Sequence, residues 1–186
     1  MKDRLPKLPN FVTTYKASII RRLRSRSREV SIELDEAKCI YEYAVPEFCK
    51  SLEDYCVDNN IKNPLDEMPD KKEEEEEIKS EFKSLFRKIA VATHPDKVSS
   101  EEKREKFEKA SKAKDKNKAV ELLSIASDLK IKTDDLSYES IDYLEASITK
   151  TEEEIHNIHK SFPWIWYYTP NNKKQLIIEL FIGKQV

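Results

Sequence analysis

The feature that most constrains the fold is a polar turn, Thr-His-Pro-Asp-Lys at positions 93–97, between two helix-patterned segments. Before the turn, apolar residues recur at steps of four, three, four and three, the spacing of one face of an amphipathic helix. These residues are Ile78, Phe82, Leu85, Ile89 and Ala92. Pro95 lacks an amide hydrogen and disfavours helical geometry at His94, so this helix is predicted to end at about Thr93.

A second helix is predicted after the turn. The sequence from Ser99 to Glu102, Ser-Ser-Glu-Glu, is typical of a capping box in which Ser99 is the N-cap and Glu102 reaches back. The two helices would form an antiparallel hairpin. Residues equidistant from the turn should then face one another. The predicted hairpin core is Phe86 against Phe107, with Ile89 and Ala110.

The residues around the turn resemble a J domain, the module of DnaJ-type co-chaperones. The run from Leu85 to Lys97, LFRKIAVATHPDK, followed by Lys106, Phe107 and Ala110, looks like helix II, the HPD loop and the start of helix III. The resemblance spans residues 69–131. A helix I with the family's Asp-Tyr-Tyr and Leu-Gly signature is not recognisable, and Thr93 stands where the family usually has an aromatic residue.

The resemblance implies a partner and a mechanism. In this family, the basic face of helix II and the HPD loop dock on a DnaK-type heat-shock chaperone and stimulate its ATP hydrolysis. The small stand-alone J proteins of bacteria and phages are the most similar in kind. Carried over to this chain, the partner-binding residues are His94, Pro95, Asp96, Lys83, Arg87, Lys88 and Lys97. The alternative hypothesis is a structural or adaptor protein, possibly encoded by a virus, that uses a J-like helical scaffold without stimulating an ATPase.

Composition narrows the function classes. The chain has 186 residues, of which 38% are hydrophobic and 38% charged, and a single glycine, Gly183. One glycine leaves almost no sites for left-handed turns and excludes the phosphate-binding loops of Walker and dinucleotide type. The three cysteines, Cys39, Cys49 and Cys56, contain no Cys-x-x-Cys pair, which argues against structural zinc. We expect free thiols, a cytoplasmic protein, no membrane segment and no cofactor.

The N-terminal segment is strongly basic. Residues 1–28 contain nine Lys and Arg residues and one acid, Asp3, whereas residues 66–81 are strongly acidic, with five consecutive glutamates at 73–77. The arginine-rich run 21–28 has the charge to bind nucleic acid. Aromatic residues interleaved for base stacking are missing from it, so nucleic acid is not an expected partner. The alternation of Val30, Ile32 and Leu34 suggests a single strand.

The remaining sequence predicts further helices, which gives an all-α protein in four parts. These parts are a basic segment at 1–34, a short helical region and linker at 35–68, the J-like domain at 69–131 and a C-terminal region at 132–186. Pro46 is interpreted as the first residue of a new helix that ends near Asn59-Asn60. Another helix is predicted around Leu122 and Leu123. A last short helix would contain Leu180 and Phe181.

The C-terminal region has a heptad stripe from Ile141 to Phe162, which requires a partner helix, and we expect that partner within this chain. An aromatic segment around Trp164 and Trp166 follows and is predicted to be extended. It would pack on the coil or, if exposed, bind an unidentified client protein.

No enzymatic role is expected. His94 and Asp96 flank a proline at an exposed tip, without a nucleophile or a pocket to exclude water. Glu153, His156 and His159 have the spacing of metal ligands on one helix, but no matching Glu-x-x-His is present elsewhere. We interpret these three residues as a solvated face.

Overall fold

The computed structural model describes residues 8–67, 80–94, 100–133 and 136–185, and over these residues the chain is helical without strands. The predicted all-α class is therefore confirmed. The α-helices are α1 (Leu8–Asp58), α2 (Ser80–Thr93), α3 (Glu101–Asp115), α4 (Ala119–Asp128), α5 (Tyr138–Lys160), α6 (Phe162–Tyr168) and α7 (Lys174–Gln185). Short 3-10 helices occupy Pro64–Glu67 and Asn171–Lys173. The acidic run 73–77 and the predicted N-cap Ser99 lie outside the described residues.

The chain forms two compact units. One consists of residues Met1–Ile32 and Glu75–Thr151, and the other of Glu33–Glu74 and Glu152–Val186. Helices α1 and α5 each contribute residues to both units.

In the first unit, α2, α3 and α4 pack against one another. The amphipathic stripe predicted for α2 faces inward, since Phe82, Leu85 and Ile89 are buried. The helix predicted around Leu122 and Leu123 is confirmed as α4, and both of these side chains are fully buried. Apolar burial of this kind contributes about 25 cal/mol per Å² and is the main force that holds the three helices together.

Helices α1 and α5 pack alongside this bundle and run parallel within the first unit. The Lys16 Nζ lies 5.4 Å from the centre of the Tyr138 ring, and the Arg22 Nη2 lies 3.9 Å from the Glu145 Oε1. A step of six residues along α1 therefore matches a step of seven along α5, in the same direction. These contacts place α1 next to α5 in the first unit. They do not involve the heptad stripe itself, so an intramolecular partner for that stripe stays a prediction.

The strand interpretation of residues 30–34 is wrong, because these residues lie inside α1. Val30 is buried and Leu34 half-buried, as expected of residues one helical turn apart, whereas Ile32 is 49% exposed. The helix start predicted at Pro46 is also wrong. Pro46 lies at an exposed position within the 51-residue α1, which continues through it.

Three described helices end at a non-glycine residue with left-handed backbone, contrary to the expectation that one glycine would leave almost no such sites. These residues are Asn60, Asn117 and Lys130, with φ of 53°, 56° and 54°. After each, an amide donates to a carbonyl five residues earlier, for example Ile61 N to Cys56 O at 2.9 Å. This is the Schellman pattern of helix termination, in which asparagine is the usual substitute for glycine.

The second unit has its own apolar core, built from the end of α1 and from α6 and α7. Its buried residues are Phe48, Leu52, Cys56, Trp166, Ile178 and Phe181. The predicted extended aromatic segment is wrong, because residues 162–168 form α6. Ser161 is the N-cap, and its Oγ accepts a hydrogen bond from Trp164 N at 3.4 Å. Pro163 lies in the first turn, where a helix does not need its missing amide hydrogen.

The last predicted helix is confirmed as α7, and Phe181 on it is buried. Within the described part of the chain, none of the helices combines the length and the apolar character needed to cross a bilayer.

Candidate functional site

The candidate site begins where α2 ends. Thr93 is the last residue of α2 and is fully buried, with its Oγ1 donating a hydrogen bond to Ile89 O at 2.8 Å. The predicted helix end at Thr93 is confirmed. A buried and hydrogen-bonded final residue holds the following residue, His94, at a defined place on the surface of the unit.

His94 is half-buried against the next helix. Its ring centroid lies 5.5 Å from that of Phe107 on α3, and the two ring planes meet at 69°. This is the edge-to-face arrangement favoured by aromatic rings. Pro95, Asp96 and Lys97 lie outside the described residues.

The contact between His94 and Phe107 corrects the predicted hairpin register. Phe86 does not face Phe107 as expected; it lies under α3 residue Lys114, whose Nζ is 5.2 Å from its ring centroid. The two contacts place the first turns of α3 beyond the end of α2, so equal distance along the chain from the turn was the wrong criterion. Ile89 and Ala110 are fully buried, as predicted for the hairpin core.

The start of α3 also differs by one residue from the prediction. The N-cap is Ser100, and α3 begins at Glu101. The predicted capping box of Glu102 with Ser99 lies outside the described residues. The Glu102 carboxylate accepts a hydrogen bond from Lys106 Nζ at 2.7 Å, which lowers the Glu102 pKa through that bond and the charge of Lys106. Glu102 and Lys106 are an i,i+4 pair in the order that favours a helix.

The basic residues of α2 lie on two sides of the helix. Lys83 and Arg87 are exposed and one turn apart, and His94 follows Arg87 by seven residues, close to two helical turns. The structure therefore brings Lys83, Arg87 and His94 to one face. Lys88 is about 100° further round the helix, and it lines a small cavity of about 60 Å³ together with Glu81 and Thr133.

Val91 is a surface residue of this face that the sequence prediction missed. It lies one turn after Arg87, and its side chain is 66% exposed. The signal was present in the sequence, because Val91 is an apolar residue outside the buried stripe of Phe82, Leu85 and Ile89. An exposed valine between an arginine and a histidine gives the face an apolar contact point. We call the face of Lys83, Arg87, Val91 and His94 the α2 strip.

The chain matches no family model, no curated protein and no solved structure.

The second predicted interaction region, around Trp164 and Trp166, has two different environments. Trp166 is 6% exposed and packs edge-on to Phe48 with ring centroids 6.1 Å apart, so it is a core residue. Trp164 is half-buried and lies 4.4 Å from the His159 ring and 5.1 Å from the Tyr168 ring. The outer surface of α6 is formed by Ile165, Tyr167 and Tyr168, which are exposed.

The three residues with the spacing of metal ligands, Glu153, His156 and His159, do not share one environment. Glu153 and His156 are exposed, as expected of a solvated face, whereas His159 is half-buried against Trp164. Among the described residues, no three His, Cys, Asp or Glu side chains form a group that could hold a metal ion.

Two of the three cysteines are in packed surroundings. Cys56 is buried in the core of the second unit, and its pKa is raised by burial and, to a smaller extent, by the charge of Asp66. Burial also raises the pKa of Cys49, whereas Cys39 is exposed on α1. The three thiols are free, as predicted.

Proposed function

We propose that this protein is a co-chaperone of J-domain type, which binds a DnaK-type heat-shock chaperone and stimulates its ATP hydrolysis. The observation that supports this proposal most directly is the α2 strip. Two exposed cations and one exposed valine lie along one face of α2, and the half-buried His94 is the first residue after the helix ends at Thr93.

The chemistry of the α2 strip suits an acidic partner surface. Lys83 and Arg87 supply positive charge one turn apart, which increases the rate of encounter with an oppositely charged protein. Val91 supplies apolar area that loses water on docking. From the sequence, Asp96 adds a carboxylate next to His94, which would pair with an arginine of the partner.

The anchoring of His94 supports the same proposal. A docking residue binds more tightly when its conformation is fixed before the partner arrives, because less entropy is lost on binding. His94 follows a buried threonine and rests on the Phe107 ring, and both contacts limit its movement. In this role the protein needs neither a catalytic pocket nor a cofactor, since the bond chemistry takes place in the chaperone.

A second candidate function is that of an adaptor or scaffold, and the length of α1 favours it. At 51 residues, α1 is several times the average helix of globular proteins, and α5 adds another 23 residues. Long paired helices are typical of proteins that separate or join other components. In this reading the α2–α3 hairpin would be a structural element.

ATP hydrolysis by a bacterial DnaK-type chaperone separates the two candidates. Single-turnover rates are measured with increasing amounts of the full chain. We expect acceleration by the wild type, none by His94→Gln, and a higher half-maximal concentration for Arg87→Gln. The matched control is Lys112→Gln, which removes an exposed charge from α3 and should leave the stimulation unchanged. No stimulation by the wild type, or equal stimulation by His94→Gln, would favour the scaffold.

A further inference from the structure

The first part of α1 carries a strong positive charge that the co-chaperone proposal does not use. Residues 14–28 contain six Lys and Arg residues and no Asp or Glu, although the whole chain has a net charge of −2. All of these residues are helical. The exposed ones are Arg21, Arg22, Arg26 and Arg28.

Asp128 and Glu145 of the first unit face this part of α1. The Arg28 Nε lies 3.0 Å from the Asp128 Oδ1, whereas the Arg22 Nη2 is 3.9 Å from the Glu145 Oε1, near the limit of an ion pair. Both pairs are largely exposed, and exposed pairs contribute about 0–1 kcal/mol. Arg22 can therefore exchange Glu145 for an external anion at little cost.

A groove of about 460 Å³ lies along the same part of α1. Its described lining consists of Tyr15, Ser18, Ile19, Arg21, Arg22 and Ser25, with no acidic residue among them. Ser18, Arg21, Arg22 and Ser25 follow one another at steps of three, one and three, so they share one face of the helix over about 10 Å. The Ser18 Oγ donates its proton to Tyr15 O at 2.7 Å, so the donors that the described lining offers to an anion are the guanidinium groups of Arg21 and Arg22.

Tyr15 adds the group that the sequence reading did not find near the arginines. Tyr15 is 58% exposed and lies at the N-terminal end of the groove. It precedes Arg21 by six residues, which at 1.5 Å per residue is about 9 Å along the helix axis. An exposed ring next to paired guanidinium groups is the combination found in proteins that bind single strands, where bases stack on aromatic rings and phosphates pair with arginine.

We propose that this groove binds single-stranded nucleic acid, with Arg21 and Arg22 on successive phosphates and a base stacked on Tyr15. The alternative of a membrane surface fits less well, because the described lining is mostly serine and arginine, and Ile19, the aliphatic residue in that described lining, is half-buried. The proposal is independent of the α2 strip and of the co-chaperone function.

Fluorescence anisotropy of a labelled 20-nucleotide oligo(dT), titrated with the full chain, tests this proposal. Two phosphate contacts on a single strand predict that affinity falls about sevenfold when salt rises from 50 to 200 mM. The double variant Arg21→Gln/Arg22→Gln should lose most of this salt dependence and bind more weakly. Tyr15→Ala should weaken binding about fivefold or more, and Tyr15→Phe should retain it, because the ring does the stacking.

The matched control is Lys103→Gln/Lys112→Gln, which removes the same number of exposed charges from α3. It should bind like the wild type. Circular dichroism of each variant checks that the helices are intact. Equal weakening by the two double variants, or no effect of Tyr15→Ala, would mean charge attraction without a site and would overturn the proposal.

Competitors distinguish the class of anion. Unlabelled oligo(dT) should displace the probe at concentrations at which poly-glutamate and phosphatidylserine vesicles do not. Displacement by either of these at the same concentration of charge would overturn the assignment to nucleic acid. Because Arg21, Arg22 and Tyr15 are remote in sequence from the α2 strip, the stimulation of a DnaK-type ATPase by the same variants stays a separate measurement.

Discussion

The His94 ring meets the Phe107 ring edge to face, with 5.5 Å between the centroids. This contact joins His94, the residue that follows α2, to the second turn of α3 within the first unit. If His94 touches a partner, its position depends on Phe107, which would not touch the partner itself.

Phe107→Leu removes the aromatic support of His94 while keeping an apolar side chain of similar size. We expect the ring-current shift of the His94 Cε1 proton to disappear, measured by NMR, while helix content stays the same. If the co-chaperone proposal holds, ATPase stimulation falls as well, since His94 becomes more mobile before docking. Phe86→Leu, on the other aromatic residue between α2 and α3, is the control. A His94 shift that is unchanged in Phe107→Leu would contradict the contact.

Mutation of Trp166 should destabilise the protein more than mutation of Trp164. Trp166→Ala removes a ring from the packed core of the second unit and should cost about 3–5 kcal/mol of unfolding free energy. Trp164→Ala removes a half-buried ring and should cost clearly less. Chemical denaturation measures both. In Trp164→Phe, the remaining Trp166 should be shielded from acrylamide quenching, whereas in Trp166→Phe the remaining Trp164 should be quenched more strongly. Equal quenching would argue against the burial of Trp166.

The sequence was sufficient where a residue acts locally. Thr93 ends α2 because Pro95 follows two positions later, and Asn60 ends α1 by accepting a left-handed backbone. The heptad stripe of α5 was legible because Ile141, Leu144 and Ile148 are large and apolar. In these cases a short segment contains the physical reason for its own structure.

The sequence was insufficient for α1 because its buried stripe is weak. The inward positions after Ile20 and Leu23 include Ser27, Ala37 and Ala44, small or polar residues that do not mark a core face. Val30, Ile32 and Leu34 all lie in α1, but their alternation in the sequence is the pattern of a strand. The α5 residues that contact α1 are more than 100 residues away in the sequence, so a local pattern does not reveal them.

The candidate site shows the same division. The end of α2 at Thr93 could be predicted from Pro95, but the register of α2 against α3 depends on how the two helices pack. Equal distance from the turn therefore predicted Phe86 as the neighbour of Phe107, whereas in the structure that neighbour is His94. Val91 was missed because it belongs neither to the predicted apolar stripe nor to the charged and turn residues predicted to bind a partner.

Lys130 offers a direct test of the helix ends. It has φ of 54° after α4, a conformation that costs a residue with a Cβ about 1–2 kcal/mol. Lys130→Gly should relieve this strain and, after the entropic cost of glycine, raise the unfolding free energy by about 0.5–1 kcal/mol. The melting temperature would rise by about 1–4 °C. Lys132→Gly, at an exposed position without left-handed backbone, should not stabilise the protein. A lower melting temperature for Lys130→Gly would contradict the assignment.

The three thiols should react with a disulfide reagent in a fixed order. Reaction requires the thiolate, and a raised pKa lowers the thiolate fraction at a given pH. Cys39 is exposed and should react first, while the pKa values of Cys49 and Cys56 are raised by burial, so these two should react slowly until the protein unfolds.

Because the charge of Asp66 adds to the raised pKa of Cys56, Asp66→Asn should lower this pKa and speed the reaction of Cys56 as pH rises through the alkaline range. Asp58→Asn, an exposed acid on the last turn of α1, is the control for a change of charge alone. If Cys56 reacts as fast as Cys39 in the folded protein, the core of the second unit is not packed as described.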